Sequence, residues 1–299
     1  MPARERLPTL NGEAQPPQEL AIPEADPAAG AALAADVPTA LTLLREGELT
    51  VHGQLTDASN AALYCSVSLD GVSGLCVYKP VAGERPLWDF PDGTLAGREV
   101  AAYELAAATG WSPIPPTVLR EDGPYGSGMA QIWVEPDPQA PPLLDLQNPT
   151  GGPRPGWLPI VLGQVGEGRT ALLVHADDQR LRRLAVVDAV LNNADRKGGH
   201  LLSAADGRIY GIDHGVTFAV PGKLRTLLWG WARQPLTEEA AEMLRRLAGE
   251  LDGALGARLR PHLTAAELTA TRERVAELLR TGRHPVPSDE WPSIPWPPV

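Results

Sequence analysis

The sequence predicts a bilobal α+β protein, with a β-rich first lobe and a mostly helical second lobe. Three observations carry this. Short stretches of alternating apolar and polar residues run from Leu49 to Pro80, helix-period stretches with capping residues dominate from Leu181 onward, and a Pro-rich join falls near residue 136. A chain of 299 residues is long enough to build two such lobes. A cleft between lobes is a common ligand site.

In chain order, residues 1–40 carry Pro, Ala, Glu and Asp with little periodicity and read as a disordered acidic tail. The first lobe spans 41–135. Leu49–Leu55 alternates, and Ala61–Leu69 and Leu75–Tyr78 flank Asp70-Gly71, a hairpin turn that sets Cys65 opposite Cys76. Thr94 to Thr109 reads as a helix stopped by Gly110, and Val118–Leu119 and Met129–Val134 as two strands. The second lobe spans 136–284. Pro136 to Pro159 reads as a Pro-rich connection. Leu181 to Asn192 is amphipathic, with Leu181, Leu184, Val187 and Leu191 on one face. Leu201–Leu202 and Ile209–Ile212 flank the turn Asp206-Gly207. Thr237 caps one later helix, and Thr264-Ala-Ala-Glu267 is a capping box for another. Residues 285–299 form a Pro/Trp-rich tail suited to strap onto the surface.

The net charge of −11 argues against nucleic acid as a partner. No apolar run approaches the ~18–20 residues of a membrane span, and the first residues lack the order of a signal peptide. A cytoplasmic protein is expected, with peripheral membrane contact left open. Two cysteines exclude a disulfide scaffold. Of 26 basic residues only Lys79, Lys197 and Lys223 are Lys. A compact ammonium is not interchangeable with a guanidinium in a tight site, so these three positions draw notice.

The strongest chemical signal is Asn192-Asn-Ala-Asp-Arg-Lys-Gly-Gly-His200 followed, after the hairpin, by Gly211-Ile-Asp-His-Gly215. Asp195 and Asp213 are thereby presented around one hairpin. One carboxylate can orient a nucleophilic hydroxyl while the other holds Mg²⁺ against phosphates. The competing reading makes each Asp a local hydrogen-bonding residue.

The stretch Leu184 to Arg196, with Leu201-Leu202 and Ile212-Asp-His-Gly-Val-Thr-Phe218, resembles the catalytic core of phosphatidylinositol 3-/4-kinase-like proteins. It is nearest to the type II phosphatidylinositol 4-kinases and their bacterial relatives. Tyr78-Lys-Pro80, Gly97-Arg-Glu-Val-Ala-Ala102, Ile114-Pro-Pro-Thr117, Gln131-Ile-Trp-Val-Glu135 and Trp229-Gly-Trp-Ala232 support it, in the same order from about Leu49 to Leu247. The resemblance implies a protein-kinase-like fold and transfer of the γ-phosphate of ATP, with Mg²⁺ or Mn²⁺, to a hydroxyl of a lipid, protein or small polyol. The alternative is an inactive nucleotide-binding pseudokinase or scaffold.

By the resemblance, Lys79 binds phosphates and Glu99 pairs with it, with Glu104 in reserve. Val77 shares the strand face of Lys79 and lies against adenine. Trp133, Val134 and Glu135 form the hinge, Asp195 is the catalytic-loop acid, Asp213 the metal acid, and Asp188 is structural. Two departures stand out. His200 occupies the position of the family's metal-ligating Asn, and imidazole suits softer metals than Mg²⁺. No Gly-rich loop separates the first two strands, so Ser59 and Asn60 are assigned to cover the phosphates. Lys197 reaches toward a γ-phosphate or anionic substrate.

Overall fold

The computed structural model describes residues 26–55, 60–165 and 169–298. The predicted order of β-rich and helical parts is observed. Strands β1 (Glu48–Gln54), β2 (Leu63–Leu69), β3 (Val72–Pro80), β4 (Thr117–Gly123) and β5 (Gly126–Ile132) form an antiparallel sheet in the order β1-β2-β3-β5-β4. Asp70 and Gly71 both have positive φ, 49° and 83°, as a tight hairpin turn requires. That turn fixes the register: Cys65 pairs with Cys76, and both are fully buried.

Because side chains alternate along each strand, the sheet has two distinct faces. Leu63, Cys65, Val67, Cys76, Tyr78, Val118, Ala130 and Ile132 point one way and are covered by helices α1 (Pro27–Ala35) and α2 (Val37–Glu46). This corrects the disordered tail ending at residue 40, since the chain is ordered and docked from Asp26 onward. Asp26 and Asp36 cap the two helices through their carboxylates, and Pro27 and Pro38 sit in the first turns, where no N–H is needed. Leu43 and Leu44 are completely buried, each adding about 1.5–3 kcal/mol of apolar transfer. Arg120 donates to Leu44 O and Gly47 O, tying the end of α2 to β4.

Helix α3 (Leu95–Ala108) covers the other face, with Ala96 and Val100 packed on Met129. Helices α4 (Gln179–Leu191), α5 (Glu238–Asp252), α6 (Ala254–Leu259) and α7 (Ala265–Thr281) complete the second lobe around a core that includes Leu105 of α3. Asp178 caps α4, and Asn192 ends it in the left-handed conformation at φ 53°. The capping box of Thr264 and Glu267 forms at α7.

The Pro-rich connection also needs correction. It contributes β6 (Leu144–Gln147) and the start of β7 (Trp157–Val165), which pair with β8 (Arg169–Ala176) in the order β6-β8-β7. Pro159 sits beside an irregularity in the β7–β8 register, where a missing N–H is tolerated. The hairpin β9 (Leu201–Ser203) and β10 (Ile209–Gly211) then brings the two halves of the predicted motif together. Among the described residues no single helix is long and apolar enough to cross a membrane.

Candidate active site

Lys79 stands near the end of β3, in register with Met129, on the face that α3 covers. Thr94 Oγ1 accepts from Gly97 N, and Glu84 accepts from Leu95 N and Ala96 N, which fixes the start of α3. Glu99, one turn further, is thereby delivered to Lys79. The Lys79 Nζ donates to Glu99 Oε1 at 2.7 Å and to Asp213 Oδ1 at 2.9 Å. The second Glu99 oxygen accepts from the His214 N–H at 2.8 Å. Glu104, the reserve partner, binds Arg258 at 2.8 Å instead.

Electrostatics favour the charged forms of Lys79 and Asp213. Burial works against the Lys79 ammonium, but the Asp213 and Glu99 carboxylates outweigh it and raise its pKa. Lys79 holds the Asp213 carboxyl far below the usual carboxylate range, against the effect of burial. Burial pushes Glu99 up, and Lys79 opposes that rise.

Asp213 follows β10 in a left-handed conformation, φ 59°, and its side chain is 48% exposed. Gly215 lies close by. A Cβ there would fall 3.3 Å from Leu95 Cβ, so a side chain would crowd α3 beside Glu99. Asp195, Asp213, Lys79, Glu99, Asn60 and Arg85 line one cleft of about 280 Å³. Lys197 Nζ lies 3.0 Å from Asp195 Oδ2, and His200 Nε2 lies 3.5 Å from Asp213 Oδ2. Burial lowers the His200 pKa, and Asp213 offsets this only in part.

The donors suit an open metal site. Lys79 engages one Asp213 oxygen and leaves the other directed at His200, while Asp195 faces the same cleft. Among the described residues no group of three or more His, Cys, Asp or Glu could hold a metal by itself. Asp195 and Asp213 in one cleft are a donor set of the kind Mg²⁺ takes with phosphate and water.

Beneath the cleft lies a closed scaffold. Arg196 Nε and Nη2 donate to the two oxygens of Asp188 at 2.9 Å each, and both side chains are 0% exposed. Asn193 donates to Asp188 as well. Arg196 Nη1 donates to His200 O and Ile212 O, joining the loop of residues 195–200 to the segment after β10 that carries Asp213. Its Nη2 lies 2.6 Å from His214 Nε2, which must accept because Arg has only donors. Neither Arg196 nor His214 is among the residues that the sequence assigns to the phosphate site. The usable signal was their adjacency to Asp195 and Asp213.

Val77, Trp133, Val134 and Glu135, like Lys197 and His200, are outside the lining of this cleft, although Val77 lies two residues before Lys79 and so on the same strand face. Trp133 N donates to Leu75 O, its indole donates to Glu135, and Val134 is buried. Asn60 does line the cleft, and its side chain accepts from Arg85 N at 2.9 Å. Ser59 lies outside the described residues.

No family model matches the chain. Over 236 residues it is 24% identical to phosphatidylinositol 4-kinase gamma 4 of Oryza sativa subsp. japonica, covering 67% of this chain and 37% of that protein. The proinflammatory kinase CtkA of Helicobacter pylori superposes with a TM-score of 0.40 at 10% identity, covering 80% of this chain and 94% of that one. Protein Rv2133c of Mycobacterium tuberculosis is 48% identical over 263 residues, 85% of this chain and 94% of that protein. The chain therefore belongs to the family of Protein Rv2133c.

Proposed function

We propose that the protein is a phosphotransferase of protein-kinase-like fold that moves the γ-phosphate of ATP to an alcohol acceptor. The observation that carries this is Lys79, ion-paired with both Glu99 and Asp213 in a cleft that Asp195 also lines. The distant likeness to a phosphatidylinositol 4-kinase supports it.

In this reading Lys79 neutralises the α/β-phosphates, and Glu99, held by the His214 N–H, keeps it from swinging away. Asp195 orients the acceptor hydroxyl and takes its proton as the new oxygen–phosphorus bond forms. The bond from the γ-phosphorus to the bridging oxygen breaks, and ADP leaves. Asp213, with His200 beside it, would hold a divalent cation, which when bound neutralises charge on the phosphates. Asn60 and Arg85 at the rim would meet the phosphates from the first lobe. Lys197, paired to Asp195, is placed to attract an anionic acceptor.

Radiolabelled ATP with Mg²⁺ or Mn²⁺, offered to lipid vesicles, proteins and polyols, tests the reading. Label should pass to one acceptor class and be lost in Asp195→Asn. His200, where relatives by resemblance carry Asn, favours one alternative: a nucleotide-binding protein without transfer. Nucleotide binding with no label transfer under either metal would select it.

A further inference from the structure

Lys223 is the Lys left without a role in the site. Although a surface residue type, it is only 3% exposed. Its Nζ donates to Asp89 at 2.8 Å and sits over three rings: Trp291 at 4.2 Å, Trp88 at 5.2 Å and Phe90 at 5.3 Å. Trp88 and Trp291 stack with centroids 6.3 Å apart. An ammonium enclosed by one carboxylate and three aromatic faces is a built joint.

The joint unites three separate pieces of chain, and each touches the catalytic loop. From the first lobe, Phe90 packs with Ala194, the residue before Asp195. From the Lys223 segment, Arg225 N donates to Asn193 O, while Arg196 N donates to Arg225 O and Leu227 N to Arg196 O. From the last segment, Pro298 O accepts from Gly198 N at 2.8 Å. Ser293 O accepts from Thr226 N and from the Trp229 indole, and Ile294 O accepts from Arg225. Segment Trp291–Pro298 thus runs along 225–229, which in turn runs along the catalytic loop.

Resting on the phosphotransferase reading for its consequence, we infer that segment Trp291–Pro298 is a strap that holds the catalytic loop in its working geometry. Lys223 and Trp291 are the positioning residues that fasten it. Neither lines the cleft with Asp195 and Asp213, so they act through the loop.

The test uses the full chain with Trp291→Ala, Lys223→Met and the conservative Trp291→Phe. Amide hydrogen exchange over 193–200 and 223–229 should quicken by about fivefold or more in the first two and return toward wild type in the third. The kcat should fall about tenfold with the nucleotide KM within about twofold, the split expected when reacting groups are misplaced but nucleotide contacts remain. Unchanged exchange over 193–200 overturns the strap. Faster exchange with unchanged kcat overturns its positioning role. If the wild type transfers no phosphate to any acceptor, the phosphotransferase reading falls, and exchange alone decides the strap. Should Lys223→Met fail to fold, Trp291→Ala, altered at a partly exposed ring, carries the test.

Discussion

Arg196 and Lys79 each tie carboxylates together, but in opposite settings. Arg196 and Asp188 are both 0% exposed, and every donor and acceptor that links them to Asn193, His200, Ile212 and His214 is used internally. Lys79 is 22% exposed and Asp213 48%, and the second Asp213 oxygen lies 3.5 Å from His200 Nε2. A closed cluster resists change because breaking a buried pair strands a charge. An open one keeps binding capacity for something that arrives. The contrast separates a closed cluster from an open one, although Arg196 and Asp213 belong to one stretch of sequence.

The comparison breaks first at Arg196. Replacing it by Met leaves Asp188 buried without its partner, and stability should fall by about 3–5 kcal/mol in denaturant unfolding. A loss below about 1 kcal/mol would show that the cluster is not the scaffold described. Lys79→Met should do the reverse. Turnover should drop on the order of 10²–10³-fold; stability should fall too, because buried Glu99 loses its cation, but by less than in Arg196→Met, since Glu99 keeps the His214 N–H and Asp213 keeps access to water. Steady-state kinetics beside an unfolding curve for both variants tests the pair of claims, and an equal stability loss in the two would erase the distinction.

A finer separation comes from Asp213→Asn. Calorimetry should find Mg²⁺-nucleotide affinity weaker by about tenfold, or ~1.4 kcal/mol, with metal-free nucleotide affinity little altered. The same affinity for Mg²⁺-nucleotide in variant and wild type would remove Asp213 from the metal site.

The smallest effect concerns protons. Lys79 and Asp213 have pKa values moved outward, so their charges persist across the neutral range and that pair adds no pH dependence there. Buried imidazoles behave differently. Burial, with Arg182 beside it, lowers the His284 pKa to about 4. Between the unfolded value near ~6.5 and about 4 the unfolded chain binds a proton that the folded chain refuses. Stability should therefore decline as pH falls through that window, by about 1 kcal/mol from this residue at pH 6. His284→Gln should flatten the slope between pH 7 and 6. An unaltered slope would assign the proton uptake to His175, His200, His214 or His262, whose pKa values burial also lowers.

Much of this arrangement is legible in the sequence where local chemistry agrees with the fold. The Asp70-Gly71 turn sets the β2–β3 register, Thr94 starts α3, and the 3.6 period marks α4. The juxtaposition of Lys79 with Glu99 could be anticipated from a lone Lys on a strand and an acid on the following helix. Other parts were obscured. In α1 and α2 the Pro residues that suggest disorder are first-turn residues after Asp caps, and the Ala-rich α1 carries almost no apolar periodicity. The β6–β8 sheet was hidden by prolines and exposes Leu146 and Leu162, so its strands carry little alternation. Arg196 escaped because a fully buried guanidinium looks, in sequence, like any other Arg of an Arg-rich chain.

One contact of α1 carries further than its place in the fold implies. The Gly30 backbone is packed on the segment that joins the two lobes, where a Cβ would stand 2.9 Å from Trp133 O. The obstacle is main chain, which cannot rotate aside as a side chain would. In a saturation scan, α1 should accept most substitutions on its exposed side and reject even Ala at Gly30. A Gly30 variant would therefore act on the join between the lobes, although Gly30 lies far from Asp195 and Asp213 in sequence.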